Sequence, residues 1–126
     1  MLPDVATALE QIKANFPSCP IVLRDDGQGG CVVILEDVPF GPLFTPPSSW
    51  VGFHITFAYP NADVYPHYVR SELSRTDGAA IPAATPATFE NRLALQISRR
   101  SNRLNPQTDT AALKLLKVLR FLGVPV

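Results

Sequence analysis

Cysteine is scarce in this chain of 126 residues: Cys19 and Cys31 are the whole complement, and no thiol follows position 31. Two such thiols exclude a disulfide-built scaffold and a zinc ribbon, which needs at least two Cys-x-x-Cys pairs or their equivalent. Histidine is as rare. His54 and His67 stand alone and lack the His-x-x-x-His spacing of a ligating helix, so no metal is expected. Excess charge is absent too, because 11 basic and 11 acidic residues cancel. No long-range field therefore draws the chain to nucleic acid or to an anionic membrane. No apolar run approaches the ~20 residues that cross a bilayer. The first residues place Asp4 and Glu10 in an amphipathic pattern, not a basic stretch followed by an apolar one, which reads against a signal peptide. With so few cysteines, that predicts reduced thiols in the cytoplasm. No Ser-His-Asp order, phosphate loop or paired-carboxylate spacing stands out, and Gly27-Gln28-Gly29-Gly30 lacks the Lys and helix start of a P-loop. No cofactor is expected.

What is present describes a globular protein, with 46% hydrophobic and 17% charged residues. The length predicts a single domain over residues 1–126 whose core forms without disulfide or metal. Thirteen prolines cluster at 39–47, 60–66 and 82–86, which predicts long ordered loops. Val5, Leu9, Ile12 and Phe16 recur with helical period from Pro3 to Phe16, and Pro17 and Pro20 stop that helix. Two β-branched runs, Ile21–Arg24 and Cys31–Glu36, flank an Asp/Gly turn and predict a hairpin. Asp37–Ser49 reads as a proline-rich loop that either covers the sheet or exposes an apolar patch. Trp50–Ala58 alternates Phe53, Ile55 and Phe57 with His54 and Thr56, the period of a strand, and Tyr68–Leu73 can form another. Residues 74–88 read as a surface loop, Phe89–Ser98 as a strand or extended segment. A last helix is predicted over 108–122, capped by Thr108 or Asp109. Its apolar face is Ala112, Leu113, Leu116, Leu119 and Leu122, its polar stripe Lys114, Lys117 and Arg120, and Gly123 and Pro125 end it. Strands followed by a helix, with short strand connections, predict an α+β fold with antiparallel pairing.

Few residues point to chemistry. Cys31 shares a strand face with Val33 and Leu35 and reads as a core hydrophobe, which leaves Cys19, at a helix-to-strand turn, as the weak candidate nucleophile. Tyr59, Tyr65 and Tyr68, with Pro60 and Pro66, read either as an aromatic groove for an extended or proline-rich peptide or as locks on their loop. Arg99, Arg100 and Arg103 read as a solvated turn or as a contact for an acidic protein tail; the interleaved aromatics of a nucleic-acid site are missing.

Tyr59-Pro60, then Tyr65-Pro66 and an outgoing strand, resemble the aromatic-Pro and Tyr-Pro punctuation of ubiquitin-conjugating enzymes, RWD domains and their cysteine-less variants. Leu93-Ala94-Leu95-Gln96-Ile97-Ser98 resembles the cysteine-bearing segment of that family, and Leu104-Asn105-Pro106 the turn before its second helix. The resemblance runs from Ile21 to Leu122. It departs in a longer gap between the two Tyr/Pro pairs, in His67-Tyr68 where the family has Pro-Pro, and in lacking the His-Pro-Asn tripeptide. It implies a UBC-like domain with an N-terminal helix, a four-stranded antiparallel meander, a proline-rich crossover loop and a C-terminal helix, as in compact bacterial versions. It also puts Ala94 at the catalytic cysteine, and a methyl group forms no thioester. His67 follows Tyr65-Pro66 in place of a family proline and reads either as a recognition residue, if its loop faces the groove, or as part of the loop alone.

The expected function is a non-catalytic binding module for a ubiquitin-like protein or its activating-enzyme-like partner in a bacterial conjugation-type pathway. One alternative is a divergent conjugating enzyme using Cys19, or a partner-supplied thiol, as acyl acceptor. The other is an RWD-like peptide-binding scaffold.

Overall fold

Val5, Leu9 and Ile12 repeat at helical spacing, and the computed structural model, which describes residues 1–126, buries that stripe together with Ala8 in helix α1 (Pro3–Asn15). Pro3 opens the helix where an N–H has no partner to lose, and Asp4 lies at the positive end of its dipole. Strands β1 (Ile21–Asp25) and β2 (Cys31–Pro39) form the expected hairpin. Its loop is built by two carboxylates. Asp25 accepts from the Gly27 N–H at 2.8 Å, and Asp26 accepts from Gln28 and Gly30 at 2.8 and 2.9 Å. Gly27 and Gly29 supply the positive φ angles that this loop needs.

The remaining elements are β3 (Phe44–Thr45), β4 (Ser48–Ile55), β5 (His67–Arg70), β6 (Ser74–Arg75), β7 (Ala84–Phe89), β8 (Arg92–Ile97) and helix α2 (Ala111–Leu122). The architecture is α+β, with two helices and an antiparallel main sheet in the order β1-β2-β4-β5-β8-β7. The four-stranded meander is there as β1-β2-β4-β5, but two strands extend it. Residues 84–88, read as part of a loop, form the edge strand β7 together with Phe89. Its small residues and Pro86 gave no strand pattern, yet an edge needs only one side of its backbone paired, so the missing N–H is tolerated.

The loop after β2 covers the core. A register shift between Leu35 and Val38 bends β2, the short β3–β6 pair closes the loop, and Phe40 and Phe44 meet edge to face inside, their centroids 5.3 Å apart.

Alternation decides what each face of the sheet presents. Cys31, Val33, Leu35, Val51, Phe53, Ile55, Val69 and Ile97 join the buried faces of α1 and α2 in one core. The other face carries Trp50, Gly52, His54, Tyr68, Arg70, Ala94 and Gln96. Phe89 lies across it, stacked on Tyr68 at 4.4 Å and on Trp50 at 6.3 Å.

Helix α2 buries Ala112, Leu119 and Leu122 as expected but differs at its cap and at two positions. Thr110, not Thr108 or Asp109, is the N-cap, its hydroxyl accepting from the Leu113 N–H at 3.1 Å. Leu113 is exposed and Lys114 buried, the reverse of the predicted faces. No helix of the chain is long and apolar enough to cross a membrane.

Candidate functional site

The turn between β4 and β5 carries Tyr59-Pro60 and Tyr65-Pro66, both peptide bonds cis. Tyr59 packs against the core, and its hydroxyl accepts from the Ala111 N–H at 3.0 Å. One unpaired donor of the first turn of α2 is thereby satisfied and the helix start is pinned to the turn. Asp63, four residues on, reaches the same helix one turn further along, at Lys114. Its carboxylate accepts from the Ser101 N–H at 2.7 Å, from the Ser101 hydroxyl at 2.8 Å and from Lys114 Nζ at 2.9 Å. Lys114 also donates to Ser101 Oγ at 2.9 Å. Burial pushes the Asp63 carboxyl up, but the Ser101 and Lys114 hydrogen bonds outweigh it and hold the group below its ordinary range. These bonds hold three segments together: the β4–β5 turn, the arm after β8 and α2.

The segment after β8 is thus tied down at Ser101. The two preceding arginines lie on aromatic rings: Arg99 over Phe121 at 4.6 Å and Arg100 over Tyr65 at 4.1 Å. Between this arm and α2 runs a groove of about 470 Å³ lined by Arg99, Arg100, Asn102, Lys117, Arg120 and Phe121. Arg24, Arg70, Arg75 and Arg92 each pair with a carboxylate elsewhere in the chain. Arg99 and Arg100 make no such pair; both are exposed. Lys117 is offset by Asp109 at 3.7 Å and Arg120 donates to the Val126 carbonyl oxygen at 3.1 Å, so the charge left unpaired in this groove is that of Arg99 and Arg100.

The other expected residues are scattered. His67 is not in a loop: it is the first residue of β5, 1% exposed, packed against Phe53 at 5.2 Å, with neither ring nitrogen hydrogen-bonded. Burial, with Lys114 nearby, lowers its pKa to about 3. Buried in this way, the imidazole presents no surface to a partner. Tyr59, Tyr65 and Tyr68 do not line a common groove, since each is engaged separately, at the α2 start, under Arg100 and on Phe89. Ala94 is 2% exposed in the middle of β8, paired between Arg70 and Ala87 on the sheet face away from the helices.

Cys19 is half-buried beside β1, its thiol 3.8 Å from the Asp37 carbonyl oxygen; burial and then the Asp37 charge raise its pKa. Four strand spacings separate β1 from β8, so Cys19 lies roughly 20 Å from Ala94. Cys31 is fully buried and its pKa is raised by burial first. No three or more His, Cys, Asp or Glu side chains gather as metal ligands do.

Asp63, Ser101, Lys114, Lys117 and Arg120 were not read as site residues from the sequence. The signal available was the i, i+3, i+6 spacing of Lys114, Lys117 and Arg120, which puts one basic flank of α2 opposite the Arg99–Arg103 cluster.

No family model matches the chain, and neither curated proteins nor solved structures give a match.

Proposed function

We propose that this protein is a non-catalytic, conjugating-enzyme-like binding module that acts with a ubiquitin-like protein or its activating partner in a bacterial conjugation-type pathway. The motifs quoted for the resemblance, and an α+β fold with two terminal helices packed on one face of an antiparallel sheet, are in keeping with that reading. The observation that carries the non-catalytic part is the state of the sulfur. Acyl transfer needs an accessible thiolate. The position matching the family cysteine is a buried methyl inside a paired strand, and both thiols of the chain have raised pKa values. What remains at the surface with directed chemistry is the basic groove beside α2, a feature suited to holding a partner.

A backbone amide titration with candidate ubiquitin-like proteins and their activating enzymes, run beside a thioester assay with ATP, tests the proposal. Saturable shifts without any thiol-sensitive adduct are expected. An adduct that disappears in Cys19→Ser moves the protein to the enzymes. Silence toward every candidate, with binding to a proline-rich peptide, makes it an RWD-like scaffold instead.

A further inference from the structure

The basic groove names the chemistry of what it holds. We infer that the cleft between Arg99–Asn102 and α2 binds an acidic, extended stretch of a partner polypeptide, with carboxylates seated on Arg99 and Arg100. This rests on reading the chain as a protein-binding module and specifies the ligand of that module.

Charge bookkeeping across the surface comes first. Four of the five arginines outside the groove are matched to a carboxylate of the same chain; Arg103 is not, and within the groove Arg99 and Arg100 are left without one. Each nonetheless lies over a ring, Arg99 Cζ 4.6 Å from the Phe121 centroid and Arg100 Cζ 4.1 Å from that of Tyr65. A guanidinium stacked by its face keeps its N–H edge free, and that edge matches a carboxylate with two parallel hydrogen bonds. Lys117 and Arg120 line the α2 side but are engaged, Lys117 with Asp109 at 3.7 Å and Arg120 with the Val126 carbonyl oxygen at 3.1 Å, which leaves Arg99 and Arg100 as the free anion-binding groups.

Preorganisation is the second argument. Ser101, next to Arg100, is held by the Asp63 carboxylate through both its backbone N–H and its hydroxyl, and by Lys114 from the helix. The arm that presents the arginines is thus fastened to α2 before any ligand arrives, which reduces the ordering entropy lost on binding.

The same features disfavour nucleic acid. The two rings of the site are already covered by guanidinium faces, so no bare ring is offered to a base. The chain has zero net charge, and the positive region is confined to one groove, not drawn out into a stripe that tracks phosphates.

The test uses the whole protein and a short labelled peptide alternating Glu with Ser, its Gln-for-Glu counterpart, a single-stranded oligonucleotide and inorganic phosphate, at low and at high salt. Amide shifts confined to residues 99–102 and the 114–121 flank of α2 are expected with the Glu peptide alone. Arg99→Gln/Arg100→Gln should weaken that binding about tenfold, as two exposed charge-assisted contacts are lost. The charge-matched control Arg24→Gln/Arg70→Gln should leave it unchanged. Equal weakening by both variants, silent groove amides, or binding of oligonucleotide or phosphate at least as strong as that of the peptide overturns the inference. A ubiquitin-like protein that binds while the groove stays silent overturns it but spares the proposed function. Peptide binding without response to any ubiquitin-like protein does the reverse.

Discussion

Lys114 and Asp63, 51 positions apart in the chain, meet at 2.9 Å on the flank of α2, with the lysine side chain only 7% exposed. Removing one partner of such a pair strands the other charge away from water. Lys114→Met keeps the aliphatic stem and deletes the ammonium, so it isolates that effect. It should lower stability by about 3 kcal/mol, the low end for a broken buried pair because Asp63 retains some solvent. Adding Asp63→Asn should restore much of the loss. Urea unfolding of the two single variants and the double variant measures this, and a strictly additive cycle would show that the pair is not coupled.

His67 carries two buried ring nitrogens without partners. With a folded pKa of about 3, set by burial first and then by Lys114, against an ordinary 6.5, the unfolded chain binds this proton more readily than the folded one. Stability is therefore complete above the ordinary value and falls as pH drops from 6.5 toward 3, by up to about 1.4 kcal/mol per unit from this one group. His67→Leu removes both the titration and the unsatisfied nitrogens. It should be neutral or stabilising at neutral pH, and its stability should be flatter between pH 6.5 and about pH 5, above the range where carboxylates titrate. Chemical denaturation across that window reads the slope; a wild-type curve as flat as the variant's contradicts the assignment.

Period and punctuation carried the elements that bury apolar side chains. α1 and the alternation of β4 follow from residues whose spacing matches one buried face, and the β1–β2 hairpin from β-branched runs flanking an Asp/Gly turn. Legibility fails where burial is decided by distant partners. Lys114 reads as polar because its type is polar, yet Asp63 and Ser101 allow it to be buried. Leu113, on the predicted apolar face, is exposed because the buried face is centred on Ala111, Leu115, Val118 and Leu122, with Leu113 on the far side of the helix. Leu93 alternates correctly with Leu95 and Ile97 but is 75% exposed. β7 was missed because Ala, Thr and Pro carry little strand signal, and the groove because its two walls lie apart in the sequence.

Gly52 marks a close approach on the outer sheet face. A Cβ placed there would fall 2.5 Å from the Phe89 ring, so Gly52→Ala should push Phe89 off its stack with Tyr68 and Trp50. Overpacking of this kind costs about 1–3 kcal/mol. Phe89→Ala in the same background removes the clash, so the glycine substitution should become nearly neutral there. Thermal unfolding of the cycle tests the coupling, with Trp50 fluorescence reporting the loss of its neighbour.

Cys19 provides the last check, because the non-catalytic reading depends on it. Its pKa is raised by burial and then by Asp37, so near neutrality its thiolate fraction lies below that of an ordinary cysteine. A disulfide reagent should label the folded protein more slowly than a free cysteine peptide at pH 7, with the rate still climbing as pH passes 9. Cys31, fully buried, should react only on unfolding. A nucleophile poised for acyl transfer behaves the opposite way, reacting fast with a rate that levels off near or below neutrality. That profile, abolished by Cys19→Ser, would return sulfur chemistry to this protein.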